Sequence, residues 1–342
     1  MLRKIRIVPP LLALALLVVP AASAQMVSYT DQVQFVAPAT SGELGLFTTL
    51  TGDTLRQGAW SFSIYVNNYD YLAGPAPEFA PPSRRDPADM ALEDTRLSLS
   101  LGYGLTDRWE IVASIPYIML ENNAGDQAGF VNGFLTIGEF DESGIGNLHL
   151  GTKLRLTPLE SENRVALSLF ADLGTGEEVV TSEEMDWGLG LHWSRGVTTF
   201  AASYKLTGDP DGDDDFDDPG FDPAFVDDVP DELRADLGFN VPVSWWATTN
   251  WVSEITGIFF QGADREPDDI VYVSTGLRHW FGTSGWSLTA GVRLNATMLG
   301  SDNNSCPIGG VLGLGFAPML FAAPIVAAPP PPPPCPPPPA PP

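Results

Sequence analysis

The sequence predicts an all-β fold, an antiparallel transmembrane β-barrel of about 12 strands, and three observations point to it. Apolar residues recur at every second position through segments of about 10 to 14 residues. The connections between these segments alternate strictly between short and long, and aromatic side chains gather near segment ends. A tilted membrane strand needs about 9 to 11 residues, whereas soluble strands have a mode near 5 to 6, so segment length favours the membrane over a soluble sandwich.

Residues 1–24 are expected to be a signal peptide. Arg3, Lys4 and Arg6 precede an apolar run from Leu11 to Val19, and Ala22-Ser23-Ala24 supplies a small-residue cleavage site. Pro20 and Gln25 make the run too short for a retained membrane helix. Residues 25–57 carry no strand signal and are expected in the periplasm or the lumen.

The barrel is expected over 58–317, its segments beginning near Gly58, Glu93, Trp109, Ser143, Arg164, Met185, Val197, Asp231, Trp246, Ile270, Gly285 and Pro307. The clearest is Arg96 to Leu105, in which every second residue is apolar and the rest are Arg, Ser or Gly. Thr106-Asp107-Arg108, Thr157 to Asn163, Arg195-Gly196, Pro242 to Trp245 and Gly282 to Ser284 are short connections. Tyr71 to Leu92, Glu121 to Glu142, Gly174 to Glu184, Gly208 to Pro230, Phe259 to Asp269 and Gly300 to Cys306 are longer and more polar or acidic. Trp60, Trp109, Tyr117, Trp187, Trp193, Tyr204, Trp251, Phe281 and Trp286 sit where two headgroup-level girdles would place them. Ile308 to Ala328 is uncharged, but its glycines and prolines make a poor helix, and Leu312, Leu314 and Phe316 alternate with Gly as in a final strand.

Residues 318–342 form a proline-rich tail, almost pure proline after Ala328 apart from Cys335 and Ala340. Proline lacks an N–H and has a fixed φ, so this segment reads as a polyproline II spacer to a periplasmic or cell-wall partner. Cys306 and Cys335 are the only cysteines, too few for a disulfide framework.

The formal net charge is −26, and loss of the three leader cations takes it to −29. That excludes nucleic-acid binding through a basic surface. Strand parity nevertheless assigns a polar, net-cationic set to the inside. With Leu97, Ile111, Leu154, Leu167, Tyr204, Leu237, Leu277 and Val292 facing lipid, the opposite face holds Arg96, Glu110, Lys153, Arg155, Arg164, Asp172, Lys205, Arg234, Asp236, Glu254, Arg278 and Arg293. Charge on the lipid face would cost about 2–4 kcal/mol for each Arg or Lys near the midplane, so the shared parity supports the barrel.

Asp209, Asp211, Asp213, Asp215 and Asp217 alternate through the loop after Gly208 and could offer oxygen ligands to Ca²⁺. They lack the spacing of an EF-hand, and a solvated acidic loop is the competing reading. No resident cofactor is expected. His149, His192 and His279 lie on separate strands at no metal-ligand spacing, and the pairing of His192 with Ser168 is the one conceivable catalytic arrangement. An enzyme is not expected.

Gly104-Leu105-Thr106-Asp107-Arg108-Trp109-Glu110, Gly144-Ile145-Gly146-Asn147 leading to Lys153, and Ala171-Asp172-Leu173-Gly174-Thr175-Gly176 resemble a bacterial outer-membrane barrel family in its strand and turn runs. The barrel followed by a proline-rich linker is similar to the N-terminal half of OmpA-type proteins. That resemblance implies outer-membrane location and a structural anchor, while the parity face implies a porin-like channel for small hydrophilic solutes.

Overall fold

The computed structural model describes residues 33–34, 36–71, 92–122, 128–131, 134–137, 140–177, 180–181, 184–208, 230–246, 248–262, 269–298, 308–318 and 320–321. The signal peptide, the acidic loop, both cysteines and the proline tail lie outside them, so the anchor reading and the calcium reading rest on sequence. The chain divides into two units, residues 35–320 and residues 1–34 with 321–342. The described residues of the second unit, Val33, Gln34 and Phe321, belong to short strands.

The larger unit is a closed antiparallel barrel of twelve strands. They are β1 (Trp60–Tyr71), β2 (Leu92–Thr106), β3 (Trp109–Asn122), β4 (Phe140–Ile145 continuing as Leu148–Arg155), β5 (Arg164–Leu173) and β6 (Asp186–Arg195), followed by β7 (Thr198–Leu206), β8 (Asp231–Pro242), β9 (Thr249–Gln261), β10 (Ile270–Trp280), β11 (Trp286–Asn295) and β12 (Ile308–Phe316). Each begins within three residues of the position expected from alternation. Neighbours in sequence pair throughout, and β12 closes the barrel on β1 with Val311–Phe316 against Phe62–Asn67. Closure leaves no sheet edge, which a bilayer demands because it offers no water to an unpaired N–H or C=O. The last apolar run is therefore a strand. The long connection after β3 also carries a small hairpin, Ala128–Val131 with Phe134–Ile137.

The interruption in β4 follows from Pro116 in the middle of β3. Proline gives the ladder no donor, so β4 bulges at Gly146 and Asn147, and the Gly146 N–H donates to the Pro116 carbonyl at 2.8 Å. The loop after β5 covers the irregular edge. Glu177 N–H donates to the Ile145 carbonyl at 2.8 Å, Ile145 N–H to Glu177 Oε1 at 3.0 Å, and Leu148 N–H to Thr175 Oγ1 at 3.0 Å.

Alternation sorts the two faces as expected. Ile111, Leu154, Leu167, Leu277 and Val292 present 40–56% of their surface outward, and none of the nine expected girdle aromatics is buried. Trp60 packs against Tyr103 and Trp286 against Phe316 at the outer surface. A contiguous apolar outer belt of this size is stable against lipid and would aggregate in water.

The lumen is filled from within the chain. Residues 36–57 fold into it as a compact plug held by bridges between Pro38 and Leu44 and between Gly45 and Leu50. Leu46 and Phe47 cluster with Tyr65, Val252 and Val311 of the wall, while Val36, Leu44 and Leu55 cluster with Ala317. The wall makes room with glycine. A Cβ at Gly238 would strike Leu46, and one at Gly151 would strike Glu43. Of the two locations expected for the N-terminal segment, its described part takes the lumenal one.

Candidate functional site

All twelve side chains assigned to the inner face by parity lie on that face, and seven of them reach the plug directly. Four buried charged wall groups bind its main chain. Glu254 Oε1 accepts from three successive backbone N–H groups, Phe47 at 2.7 Å, Thr48 at 3.0 Å and Thr49 at 3.0 Å. Arg278 donates to the Gly45 carbonyl at 2.8 Å and the Leu46 carbonyl at 2.6 Å, and is itself steadied by Thr289 and Tyr65. Lys153 Nζ donates to the Leu44 carbonyl at 2.9 Å and pairs with Glu110 at 3.0 Å; Glu110 Oε2 in turn accepts from Leu55 N–H at 2.6 Å.

The remaining direct contacts go to plug side chains. Arg155 and Arg164 both lie 3.6 Å from Asp53 Oδ1, and Arg234 donates to Thr48 Oγ1 at 2.8 Å. Asp172 acts at one remove, holding His149 Nδ1 at 2.7 Å while His149 Nε2 faces Glu43 at 3.5 Å. Asp236 accepts from Arg234 and from Thr256. Arg96 pairs with Asp94 at 2.6 Å, Lys205 lies 3.2 Å from both Asp186 and Glu232, and Arg293 donates to Ser274 with its guanidinium over the Tyr272 ring.

These partners alter the electrostatic reading. The parity set holds eight cations and four anions, but Asp94, Asp186 and Glu232 share the inner face and the plug adds Glu43 and Asp53. Five further anions cancel the cationic excess expected from sequence. Three of them were legible by parity, because Asp94, Asp186 and Glu232 each fall on the inward register of their strands. The plug's two carried no such signal, since a segment without strand periodicity does not announce its docking site. Tyr65 and Trp280 were missed as well, and both clamp the plug: Tyr65 OH donates to the Pro38 carbonyl at 2.9 Å and Trp280 Nε1 to the Val36 carbonyl at 3.1 Å.

Ser168 Oγ and His192 Nε2 do come together, 2.7 Å apart across β5 and β6. His192 Nδ1 has no hydrogen-bond partner among the described residues, so no carboxylate orients this ring as a serine hydrolase would require. His279 accompanies Thr249 and stacks near Trp246, and the three histidines share no site. Among the described residues no group of three or more His, Cys, Asp or Glu side chains is placed to hold a metal.

The plug carries its own acid sensitivity. Burial pushes the Glu43 carboxyl up, but its hydrogen bond with His149, the charge of that ring and the nearby Lys153 outweigh this and hold it at about 2, against an ordinary 4.5. A depressed carboxylate contributes docking stability that is fully present above pH 4.5 and is lost as pH falls toward 2. Intrinsic fluorescence or proteolysis of the plug across that window should show acid release, and Glu43→Gln should remove this carboxylate's share of the dependence. Identical acid profiles for both proteins would deny Glu43 the role.

The closed barrel, the apolar belt and the girdle define the class, a bacterial outer-membrane β-barrel. Among solved structures the chain is similar to the COG4313 outer membrane channel from Pseudomonas putida F1, with a TM-score of 0.51 and 15% identity over 78% of this chain and 97% of that one. The NanC porin aligns at a TM-score of 0.41 with 10% identity, over 77% of this chain and 100% of that chain. The toluene transporter TbuX of Ralstonia pickettii aligns at 0.36 with 11% identity, over 78% and 90%. No protein-family model and no curated protein matches the sequence.

Proposed function

We propose that this barrel is a channel for small hydrophilic solutes, not an enzyme, and that its resting state is closed by residues 36–57. The observation that carries the reading is the kind of bond holding the plug. Glu254, Arg278 and Lys153 bind its backbone N–H and C=O groups, and water can replace those partners if the segment withdraws. Withdrawal leaves a wall of charged and hydroxyl side chains, which stays wet and admits polar solutes. The Pseudomonas putida barrel is described as an outer membrane channel. At 15% identity that likeness supports the fold, and the lumen geometry supports the function.

Planar-bilayer recording tests the proposal on the full-length protein. Wild type is expected to be mostly silent, while Leu46→Asp with Phe47→Asp, which places two charges in the buried cluster around Tyr65, is expected to show discrete conductance steps. If the folded double variant is as silent as wild type although its plug is accessible to protease, the channel reading fails.

A further inference from the structure

The wall reads the plug as a peptide, and this extends the channel reading to a substrate class. Over Leu44 to Thr49 every main-chain contact from a charged side chain is made to a group that any peptide possesses. Lys153 and Arg278 donate to the carbonyls of Leu44, Gly45 and Leu46, and Glu254 accepts from the N–H groups of Phe47, Thr48 and Thr49. Glu110 adds two N–H contacts, from Leu55 at 2.6 Å and from Leu44 at 3.4 Å. Cations thus meet the consecutive carbonyls of Leu44, Gly45 and Leu46 and Glu254 meets the consecutive amides of Phe47, Thr48 and Thr49, while Glu110, paired with Lys153, takes the amides of Leu44 and Leu55.

Lys153, Glu110, Glu254 and Arg278 are all fully buried by the plug and its surroundings. With the plug withdrawn water hydrates these charges, and a solute that offers the same carbonyls and amides can take the place of that water bond for bond. Sugars carry hydroxyls that donate and accept at one atom and do not reproduce runs of carbonyls followed by runs of N–H. Tyr65 and Trp280 repeat the pattern, both donating to main-chain carbonyls. Apolar side chains find space on the wall where it is glycine, as Leu46 does over Gly238.

We infer that the open lumen binds and passes short peptides, recognising their backbone through Glu254, Glu110, Lys153 and Arg278, and that the plug is a tethered mimic of that solute. The inference rests on plug withdrawal as proposed above, and a binding measurement keeps its outcome separate from conduction. The probes are a synthetic nonapeptide of residues 42–50, an alanine version with Leu44, Leu46, Phe47 and Leu50 replaced, both peptides N-methylated at the amides of 47, 48 and 49, and maltotriose. Calorimetry against the folded full-length Leu46→Asp, Phe47→Asp protein should show binding by both unmethylated peptides, the native one tighter. N-methylation should weaken each at least about tenfold, because charge-assisted bonds to Glu254 are lost, and maltotriose should not compete. Glu254→Leu in the same background should erase the methylation effect. Binding by the native peptide without the alanine one would show a lumen specific for its own plug, and equal binding by methylated peptides or maltotriose would remove backbone recognition; either result overturns the inference whether or not the protein conducts.

Discussion

Replacing Glu254 with Leu should release residues 36–57 from the lumen while leaving the barrel assembled. Three consecutive N–H groups and the Thr48 hydroxyl converge on the two oxygens of Glu254. Leu has similar volume and no acceptor, so a docked plug would hold unsatisfied buried amides at about 1–3 kcal/mol each, on the order of 5 kcal/mol together. Docking cannot sustain that loss when withdrawal lets water take the same amides. Limited proteolysis should cut the variant within 36–57 at least about a hundredfold faster than wild type, since each factor of ten corresponds to about 1.4 kcal/mol, and bilayer recording should show the conductance of the opened state. Unchanged protection of the segment in a correctly folded variant would show that Glu254 is not the latch.

A second large effect belongs to the outer face. Leu169 lies in the middle of β5 with 52% of its surface exposed, between the outward Leu167 and Ala171. In lipid an Arg there should cost about 2–4 kcal/mol, close to the midplane limit for a barrel. Urea titration of protein folded into lipid vesicles should register that loss for Leu169→Arg and almost none for Leu169→Ile. The same Arg substitution would be nearly neutral on the exposed surface of a water-soluble β-protein, so an unchanged midpoint would contradict the lipid-facing assignment of β5.

The two predictions divide along a line that also separates what alternation reveals from what it hides. In a strand, successive side chains point to opposite faces, so one register specifies both faces at once. Leu167 and Leu169 outward therefore carry Ser168 inward, and Arg96, Glu110, Lys153 and Glu254 follow from their outward neighbours with no knowledge of contacts. The break in β4 was legible in principle from Pro116, whose missing N–H had to interrupt a ladder somewhere. Missing Asp94, Asp186 and Glu232 on the same parity made the lumen read as cationic, although each sits beside a basic residue that it neutralises.

Residues 36–57 are a different matter. They lack the period of a strand or a helix, because their main-chain groups are satisfied by wall side chains up to 244 residues away in sequence, as between Val36 and Trp280. No local pattern records such a partner. The sequence by itself therefore determined the barrel, its twelve strands, its outer belt and the polarity of its inner face, since all of these follow from periodicity and turn length within each segment. Only the tertiary structure decided that the lumen is occupied, which charges hold the plug and which cancel one another, because those depend on bonds between a non-periodic segment and strands that closure of the barrel brings around it.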